Sequence, residues 1–522
     1  MLSVVHRQRY AKHRGVRDSQ SARAARVHEL ILPGMLFGSL GAIAWAVRGS
    51  NGWGGIDGTI VPGMMWAILW FYICWRKGLA CYGVPLFLGL GIALGGELGY
   101  GQYVSWIRGL FNVGDEVIHV SRRQGWLWFF LCGIGWGAPG GVLLGWALSQ
   151  KTSWSVWLGR LTIPCITAWL GWSLVHWYPA LFFPNHDLGI YATELGRHLD
   201  RTVYTNTQNF TLVAWWIGAV LVAAIQRDKA SVVMCAIIGA GFGPGFSVAA
   251  IWCLGYEYAP AYIDWWKMWE LQSGFNLGLL YVLALYWCVR QADKAHTGDG
   301  APLDAPLPEP SPPVEPRVWC VQYLAVTLAA FLLVLIPYLE RSPKTGFAMG
   351  LLFVVFMFWL MFQVTRGLDT RLATELYGRL SLIFCVFVFL LVTFRGASST
   401  LGLVLELYPP ESVEQYSWPP RRTMLFLLMV SGVVIWTLYQ MVRTLWPAGN
   451  QPRDSRAAGL AERITDMMSV LTVVGAVSIW PSKIGILYVG FLGVALWAFN
   501  RMNRKMDSID LSQTKEGTDP FV

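Results

Sequence analysis

The sequence predicts an all-α, polytopic integral membrane protein with about fourteen transmembrane helices. Three observations predict this class: 55% of the 522 residues are hydrophobic, only 14% are charged, and the mean hydropathy is +0.45. A soluble domain contains roughly 25% charged residues. The chain is therefore too apolar and too poor in charge to be a water-soluble protein.

Apolar runs locate the predicted spans, because a transmembrane helix needs about 20 such residues. The runs lie at 30–48, 58–75, 84–106, 127–148, 161–183, 210–226, 231–254, 266–288, 318–339, 347–364, 380–394, 423–442, 464–480 and 484–500. Only Pro481, Ser482 and Lys483 separate the last two runs, so these two are predicted to form a helical hairpin.

Lys and Arg residues predict the orientation, because cytoplasmic loops are enriched in them. An N-in, C-in arrangement places these basic residues on the inner side: Arg76, Lys77, Lys151, Arg160, Arg227 and Lys229. Arg122 and Arg123 fall on the outer side and weaken the bias. Cytoplasmic anchoring accounts for the net charge of +9, so no nucleic-acid partner is predicted. Residues 1–29 are predicted to be a basic cytoplasmic tail, although an Arg-rich start is also typical of an organelle transit peptide.

A change in composition divides the chain into two membrane bundles. Residues 290–317 are proline-rich and predict a cytoplasmic linker. The linker separates an eight-helix bundle at 30–289 from a six-helix bundle at 318–500, which a cytoplasmic tail at 501–522 follows. The part of the chain before residue 290 contains 22 of the 29 Trp and 39 of the 55 Gly residues. We therefore expect the first bundle to be functional and the second to support it.

Glycines recur every fourth residue in several of the first eight spans. The longest series is Gly133, Gly137, Gly141 and Gly145. This spacing places the glycines on one helix face, where they allow a neighbouring backbone to approach closely. Prolines within two of these spans, at Pro139 and Pro244, predict kinked or broken helices. A break would expose backbone groups that hold a substrate or an ion, whereas a kink would only bend the helix.

Polar residues gather near the outer ends of the first eight spans and predict an outward-opening cavity. Glu97 is central, since a carboxylate in the membrane must face protein or water. Glu97 lies two residues from Gly95, which is about 200° around the helix, so it points away from the face that carries the glycines. The residues predicted to line the pathway are Glu97, Gln102, Arg48, Asp57, Arg108, His176, Asp264, Glu270, Gln272 and Asn276.

Simpler interpretations of these residues stay open. Glu97 is alternatively one member of an ion pair, with Arg48 or Arg108, that locks two helices together. Arg48, Arg108 and Lys267 are also typical of side chains that extend from a helix end to the membrane surface. The many Trp residues near the same level are typical of a membrane-interface belt.

Three function classes follow from this pattern. The first is a transporter or channel for a small polar solute or ion. The second is a membrane-embedded transferase for a lipid-linked substrate, in which Asp57, Glu97 or Glu270 acts as a base. The third is a non-catalytic membrane scaffold.

Motif searches narrow the chemistry further. The sequence has no Walker, GxSxG, HExxH or CxxC motif, so ATP hydrolysis and the common hydrolase and metal sites are not supported. The nine Cys are scattered and are interpreted as small apolar residues. We predict no cofactor and no metal, a lipid bilayer as the surroundings, and a bacterial inner (plasma) membrane as the location.

Overall fold

The computed structural model describes residues 19–48, 66–74 apart from 68 and 71, 84–99, 103–113, 116–149, 151, 153–192, 199–259, 263–297, 435 and 485–515. These residues are mostly helical. Five helices among them are long and apolar enough to cross a membrane, at Arg122–Leu148, Trp154–Trp177, Asp200–Ile225, Lys229–Tyr258 and Trp265–Gln291. The described residues therefore support an integral membrane protein of the all-α class.

Eight long helices occur in the described part of the chain. They are α1 (Ser19–Arg48), α2 (Val84–Leu98), α3 (Arg122–Leu148), α4 (Trp154–Trp177), α5 (Asp200–Ile225), α6 (Lys229–Tyr258), α7 (Trp265–Thr297) and α8 (Gly485–Lys515). Each overlaps one predicted span. The predicted spans at 318–339, 347–364, 380–394 and 464–480 lie outside the described residues. The span at 423–442 is described only at residue 435, and the span at 58–75 only at 66–74 apart from 68 and 71.

A short β-hairpin departs from the all-α prediction. Helix α2 ends at Leu98 rather than 106, and a single helical turn at Trp106–Arg108 follows. Gly109 then adopts a left-handed conformation with φ 84°, which glycine tolerates without a steric penalty. Strands β1 (Leu110–Val113) and β2 (Glu116–His119) pair antiparallel. Strand β1 alternates exposed and buried residues, the pattern that favours a strand with one covered face.

Glycines set the close packing of helices α1 and α7. Gly41 contacts Gly274, whereas Gly34 contacts Leu279, so the two helices run antiparallel. The pairs α2 with α3, α3 with α6 and α4 with α5 are antiparallel as well. The described helices therefore form one bundle with two ends. We call them the Glu270 end, where α3 and α7 begin, and the Arg160 end, where α4 and α6 begin.

Helix α3 lies in the middle of the bundle, with its glycine series against α6. Gly133 faces Phe242 and Phe246, and the next glycines face residues further toward the beginning of α6: Ile238, Met234 and Ser231. A Cβ at Gly145 would lie 2.6 Å from the Cα of Ser231. Larger residues in this series would therefore push α6 away from α3.

Helix α6 is irregular along its length. It contains a π-helical segment at Cys235–Ala240, an α-helical segment at Gly241–Ala249 and a 3₁₀ segment at Ala250–Leu254. Pro244 contributes to the irregularity, because it has no N–H to donate to the carbonyl group four residues earlier. Two side chains from neighbouring helices donate to backbone carbonyls of α6: Trp216 Nε1 to Cys235 at 3.2 Å and Asn276 Nδ2 to Gly245 at 2.8 Å.

Helix α8 joins the bundle although it lies far away in sequence. It packs against α1, and the ring of its Phe491 lies 6.3 Å from that of Phe275 in α7. Nearer the C-terminus, Asn503 accepts a hydrogen bond from Tyr72 at 2.9 Å. The first and last predicted spans are therefore in direct contact.

Candidate functional site

A buried ion pair lies in the first turns of α7. Asp264 caps this helix, since its Oδ1 accepts a hydrogen bond from the backbone N–H of Lys267 at 3.1 Å. Lys267 Nζ donates to Oε2 of Glu270, one turn further along. The two side chains are only 4% and 8% exposed. Trp266 donates from its indole nitrogen to the other carboxylate oxygen of Glu270 at 2.8 Å.

The pair lies above a cluster of aromatic rings. Trp269 packs against Phe129 and Phe246, with ring centroids 5.6 and 5.3 Å apart. Phe246 in turn packs against Trp45, whose ring lies 4.2 Å from that of Trp136. These rings come from α1, α3, α6 and α7. The cluster lies between the charged pair and the Arg160 end of the bundle.

Tyr488 brings helix α8 to the same end of the bundle. Its side chain is completely buried and lies within electrostatic range of Glu270 and Asp264. Within the described part of the chain, this hydroxyl makes no hydrogen bond. The packing of α8 explains the position of Tyr488. Phe491, one helical turn further along α8, packs against Phe275 of α7.

Arg108 lies at the rim of the site. Its guanidinium group stacks over the ring of Tyr256 at 5.3 Å, and its Nε donates to the carbonyl of Val104 at 3.4 Å. The hydroxyl oxygen of Tyr256 accepts a hydrogen bond from the backbone N–H of Trp266. Arg108 is therefore held beside the first turn of α7.

Nearby, Arg122 and Glu257 form a more exposed ion pair at 3.0 Å.

The helix register also places Arg48 at the level of the pair. Gly41 and Gly274 meet where α1 and α7 cross. Arg48 follows Gly41 by seven residues and Lys267 precedes Gly274 by seven, which is about two helical turns in each case. Because the helices are antiparallel, the two backbones lie at one level. The placement of the Arg48 side chain is outside the described residues.

Glu97 is placed only by its backbone. It belongs to α2, between Gly95 and Gly99, two glycines that contact Trp136. Its helical position is therefore level with the aromatic cluster, and the placement of its side chain is outside the described residues. Asp57 and Gln102 lie entirely outside them.

Two predicted pathway residues face away from the ion pair. Gln272 follows Glu270 by two residues, about 200° around the helix. Its Oε1 accepts a hydrogen bond from Trp252, and Asn276 donates to Gly245. Both partners belong to α6. Gln272 and Asn276 therefore hold the irregular helix α6 against α7.

The structure does not bring His176 to the ion pair. This residue lies at the end of α4, which packs mainly against α5. Its ring is exposed, lies 3.9 Å from the ring of Trp172 and shares a hydrogen bond between Nδ1 and the Trp172 carbonyl at 2.8 Å. Of the predicted residues with described side chains, only Arg108, Asp264 and Glu270 gather around Lys267.

A second buried ion pair lies at the Arg160 end. Arg160 donates to Asp228 at 3.0 Å and to Ser149, and the two charged side chains are 1% and 5% exposed. Asp228 also caps α6 by accepting from the N–H of Ser231. The guanidinium group lies over the rings of Trp146 and Trp157. These bonds tie α3, α4 and α6 together, which gives this pair a structural role.

Comparisons with known proteins identify no relative from which a function could be inferred. No protein-family model, curated protein or solved structure matches the chain. Among the described residues, no group of three or more His, Cys, Asp or Glu side chains is arranged to hold a metal ion.

Sequence reasoning missed two features of the site. It interpreted Lys267 as a surface-reaching residue, whereas the structure buries it beside Glu270. The spacing of three residues between opposite charges was a visible signal, because such residues share a helix face. It also missed Tyr488, for which the sequence holds no local signal.

Proposed function

We propose that this chain is a multi-pass membrane transporter or channel for a small polar solute or ion. The observation that carries the proposal is the buried Lys267–Glu270 pair within a helix long enough to cross a membrane. Ionisable groups inside a membrane are costly, and in membrane proteins they commonly mark substrate or ion pathways. The candidate pathway runs past this pair at the Glu270 end.

The pair has the chemistry that coupled transport needs. A proton or a cation that reaches Glu270 would compete with Lys267 for the carboxylate. The ammonium group, once displaced from this carboxylate, would bind an anionic group of a solute. Arg108 and Asp264 add one positive and one negative group near the same turn. Opening and closing of the pair is therefore the proposed coupling step.

The geometry favours transport over the transferase alternative. A lipid-linked substrate would approach from the side of the bundle, where a cleft lies beside Gln272. Glu270 points about 200° away from Gln272 around α7, so this carboxylate is badly placed to act as a base in the cleft. Asp57 and the Glu97 side chain, the other bases of that alternative, lie outside the described residues.

The proposal includes the finer membrane topology. The chain would have about fourteen spans, arranged as eight and six, and both termini would lie in the cytoplasm. Glycines would line its helix contacts, and its location would be a bacterial inner membrane. The antiparallel pairs described above support an alternating path through the membrane. In this arrangement, the Glu270 end faces outward.

Flux into reconstituted vesicles tests the proposal. The full chain would be placed in vesicles that contain a pH-sensitive dye. The vesicles would be challenged separately with amino acids, monosaccharides, choline and alkali-metal ions, with isotope uptake measured in parallel. We expect wild-type protein to move at least one of these solutes, and we expect Glu270→Gln to abolish that movement.

Glu257→Gln is the matched control, because it neutralises a carboxylate of an exposed ion pair at the same end of the bundle. This variant should retain flux. Absence of flux above protein-free vesicles for the whole panel would overturn the proposal and favour the scaffold alternative. Equal flux in wild type and Glu270→Gln would remove the pair from the pathway.

A further inference from the structure

A cleft of about 450 Å³ lies between α6 and α7, on the face of α7 opposite the ion pair. Its wall is mostly apolar and aromatic. The lining residues are Val248, Ile251, Trp252, Leu254, Gly255, Tyr258, Trp265 and Gln272. The 3₁₀ segment of α6 supplies three of them, so the irregular winding of that helix shapes the cleft.

The cleft opens at the side of the bundle. Val248, Ile251 and Tyr258 are 49%, 54% and 83% exposed. Helices α6 and α7 are both long and apolar enough to cross a membrane. The perimeter of two such helices meets lipid acyl chains, and an apolar opening there is continuous with the hydrocarbon.

One polar group faces this apolar space. The Oε1 atom of Gln272 accepts the indole hydrogen of Trp252, which fixes the amide plane. Its NH₂ group makes no hydrogen bond within the described residues. An amide has two N–H donors, and in hydrocarbon each unsatisfied donor is costly. The cleft therefore favours an occupant with a hydrogen-bond acceptor next to an apolar chain.

Aromatic and charged groups surround the end of the cleft where α6 ends. The rings of Trp252 and Trp265 stack with centroids 6.1 Å apart. Asp264 and the Arg122–Glu257 pair lie at the same ends of the helices. Trp and Tyr concentrate at the membrane interface, where lipid ester and headgroup regions begin. From Val248 toward Trp265, the wall thus changes from aliphatic to aromatic, and charged residues lie beyond its aromatic end.

This order matches the chemistry of a glycerophospholipid, which has an acyl chain, an ester carbonyl and a charged headgroup. We propose that the cleft is a lipid-binding site. One acyl chain lies along Val248 and Ile251, and the amide of Gln272 donates to the ester carbonyl. The inference does not depend on the proposed transport function, because the cleft and the ion pair occupy different faces of α7.

Photo-crosslinking tests the site. The full chain would be reconstituted in nanodiscs of phosphatidylcholine with a small fraction of phosphatidylcholine that carries a diazirine in one acyl chain. After irradiation, mass spectrometry would map the labelled peptides. We expect label to concentrate in 248–258 and 265–272 and to fall when unlabelled lipid is added in excess.

Two variants sharpen the result. Ile251→Trp fills the cleft from its exposed rim, and labelling of the two peptides should fall about tenfold, which corresponds to about 1.4 kcal/mol of binding free energy. Gln272→Met removes the amide donors at similar volume and should weaken labelling in the same direction. Ile217→Trp, at a 45% exposed position of α5, is the matched control and should leave these peptides unchanged.

Even labelling of all perimeter helices, unaffected by Ile251→Trp, would overturn the proposal and indicate only the ordinary lipid annulus. A melting temperature within a few degrees of wild type for each variant would show that the cleft, rather than the fold, was changed.

Discussion

Gly41 and Gly274 meet backbone to backbone where α1 crosses α7. A Cβ built on either residue would overlap the carbonyl oxygen of the other. Such contacts depend on small residues, because helices in a membrane gain little from the hydrophobic effect and are held by close packing. The same crossing determines which part of α1 lies at the level of Lys267. Helix packing and the candidate site are therefore linked.

Gly274→Ala should therefore destabilise the protein. The added methyl group must separate α1 from α7, and we expect the melting temperature in detergent to fall by several degrees. Gly490→Ala is the control, because no atom lies within 4 Å of a Cβ at that position. It should be neutral or slightly stabilising, since alanine favours a helix by about 1 kcal/mol over glycine. Similar losses in both variants would show that the crossing is not tightly packed.

Gly137→Leu tests the contact between α3 and α6. A Cβ at Gly137 would lie 2.9 Å from the Cβ of Phe242, within the aromatic cluster. We expect a larger loss of thermal stability than for Gly274→Ala, because a whole leucine side chain has no space there. Gly493→Leu makes the same change at an open position of α8. An unchanged melting temperature for Gly137→Leu would contradict the described packing.

Local sequence patterns predicted helices better than they predicted the site. The eight described long helices overlap predicted spans because apolar length is a strong local signal. The β-hairpin was missed because its strands have only four residues each and followed a run interpreted as one long span. Pro244 predicted a kinked or broken helix, and α6 is irregular but continuous, with a π-helical segment before Pro244 that has no sequence signal of its own.

The candidate site illustrates a second limit. Asp264, Lys267 and Glu270 are neighbours in sequence, so their proximity was visible. Tyr488 reaches them only through the packing of α8 on α1, a contact between segments more than 400 residues apart. Gln272 was grouped with Glu270 by depth alone. The helical angle between them, about 200°, separates the cleft from the ion pair.

Removing one partner of the Lys267–Glu270 pair should destabilise the bundle more than removing both. Lys267→Met leaves a buried carboxylate without its cation, a change that costs about 3–5 kcal/mol in comparable buried pairs. The double variant Lys267→Met with Glu270→Leu should recover much of that loss, as measured by unfolding in mixed detergent. Equal stability of the single and double variants would mean that the carboxylate of the single variant has another compensating partner. Under the proposed function, both variants lose flux.

Asp228→Asn should destabilise the Arg160 end. The amide oxygen can still cap α6 by accepting from Ser231, so the main loss is the charge that balances Arg160. We expect a loss of about 3–5 kcal/mol for this buried pair. Arg122→Gln, in the more exposed pair with Glu257, should cost about 1 kcal/mol or less. Flux per folded molecule should stay at the wild-type value in Asp228→Asn, because this pair lies at the other end of the bundle.

Tyr488→Phe tests whether α8 contributes to the pathway. The change removes only a hydroxyl group that makes no hydrogen bond within the described residues and lies within electrostatic range of Glu270 and Asp264. Stability should be unchanged or slightly improved, because a buried polar atom without a partner is costly. If the pathway passes the Glu270 carboxylate, removal of a polar group within electrostatic range of that carboxylate should lower flux severalfold. Tyr281→Phe is the control, since Tyr281 is equally buried in α7 but packs against Trp66, away from these charges. Wild-type flux in Tyr488→Phe, with flux still lost in Glu270→Gln, would confine the pathway to the first seven described helices and leave α8 a purely structural role.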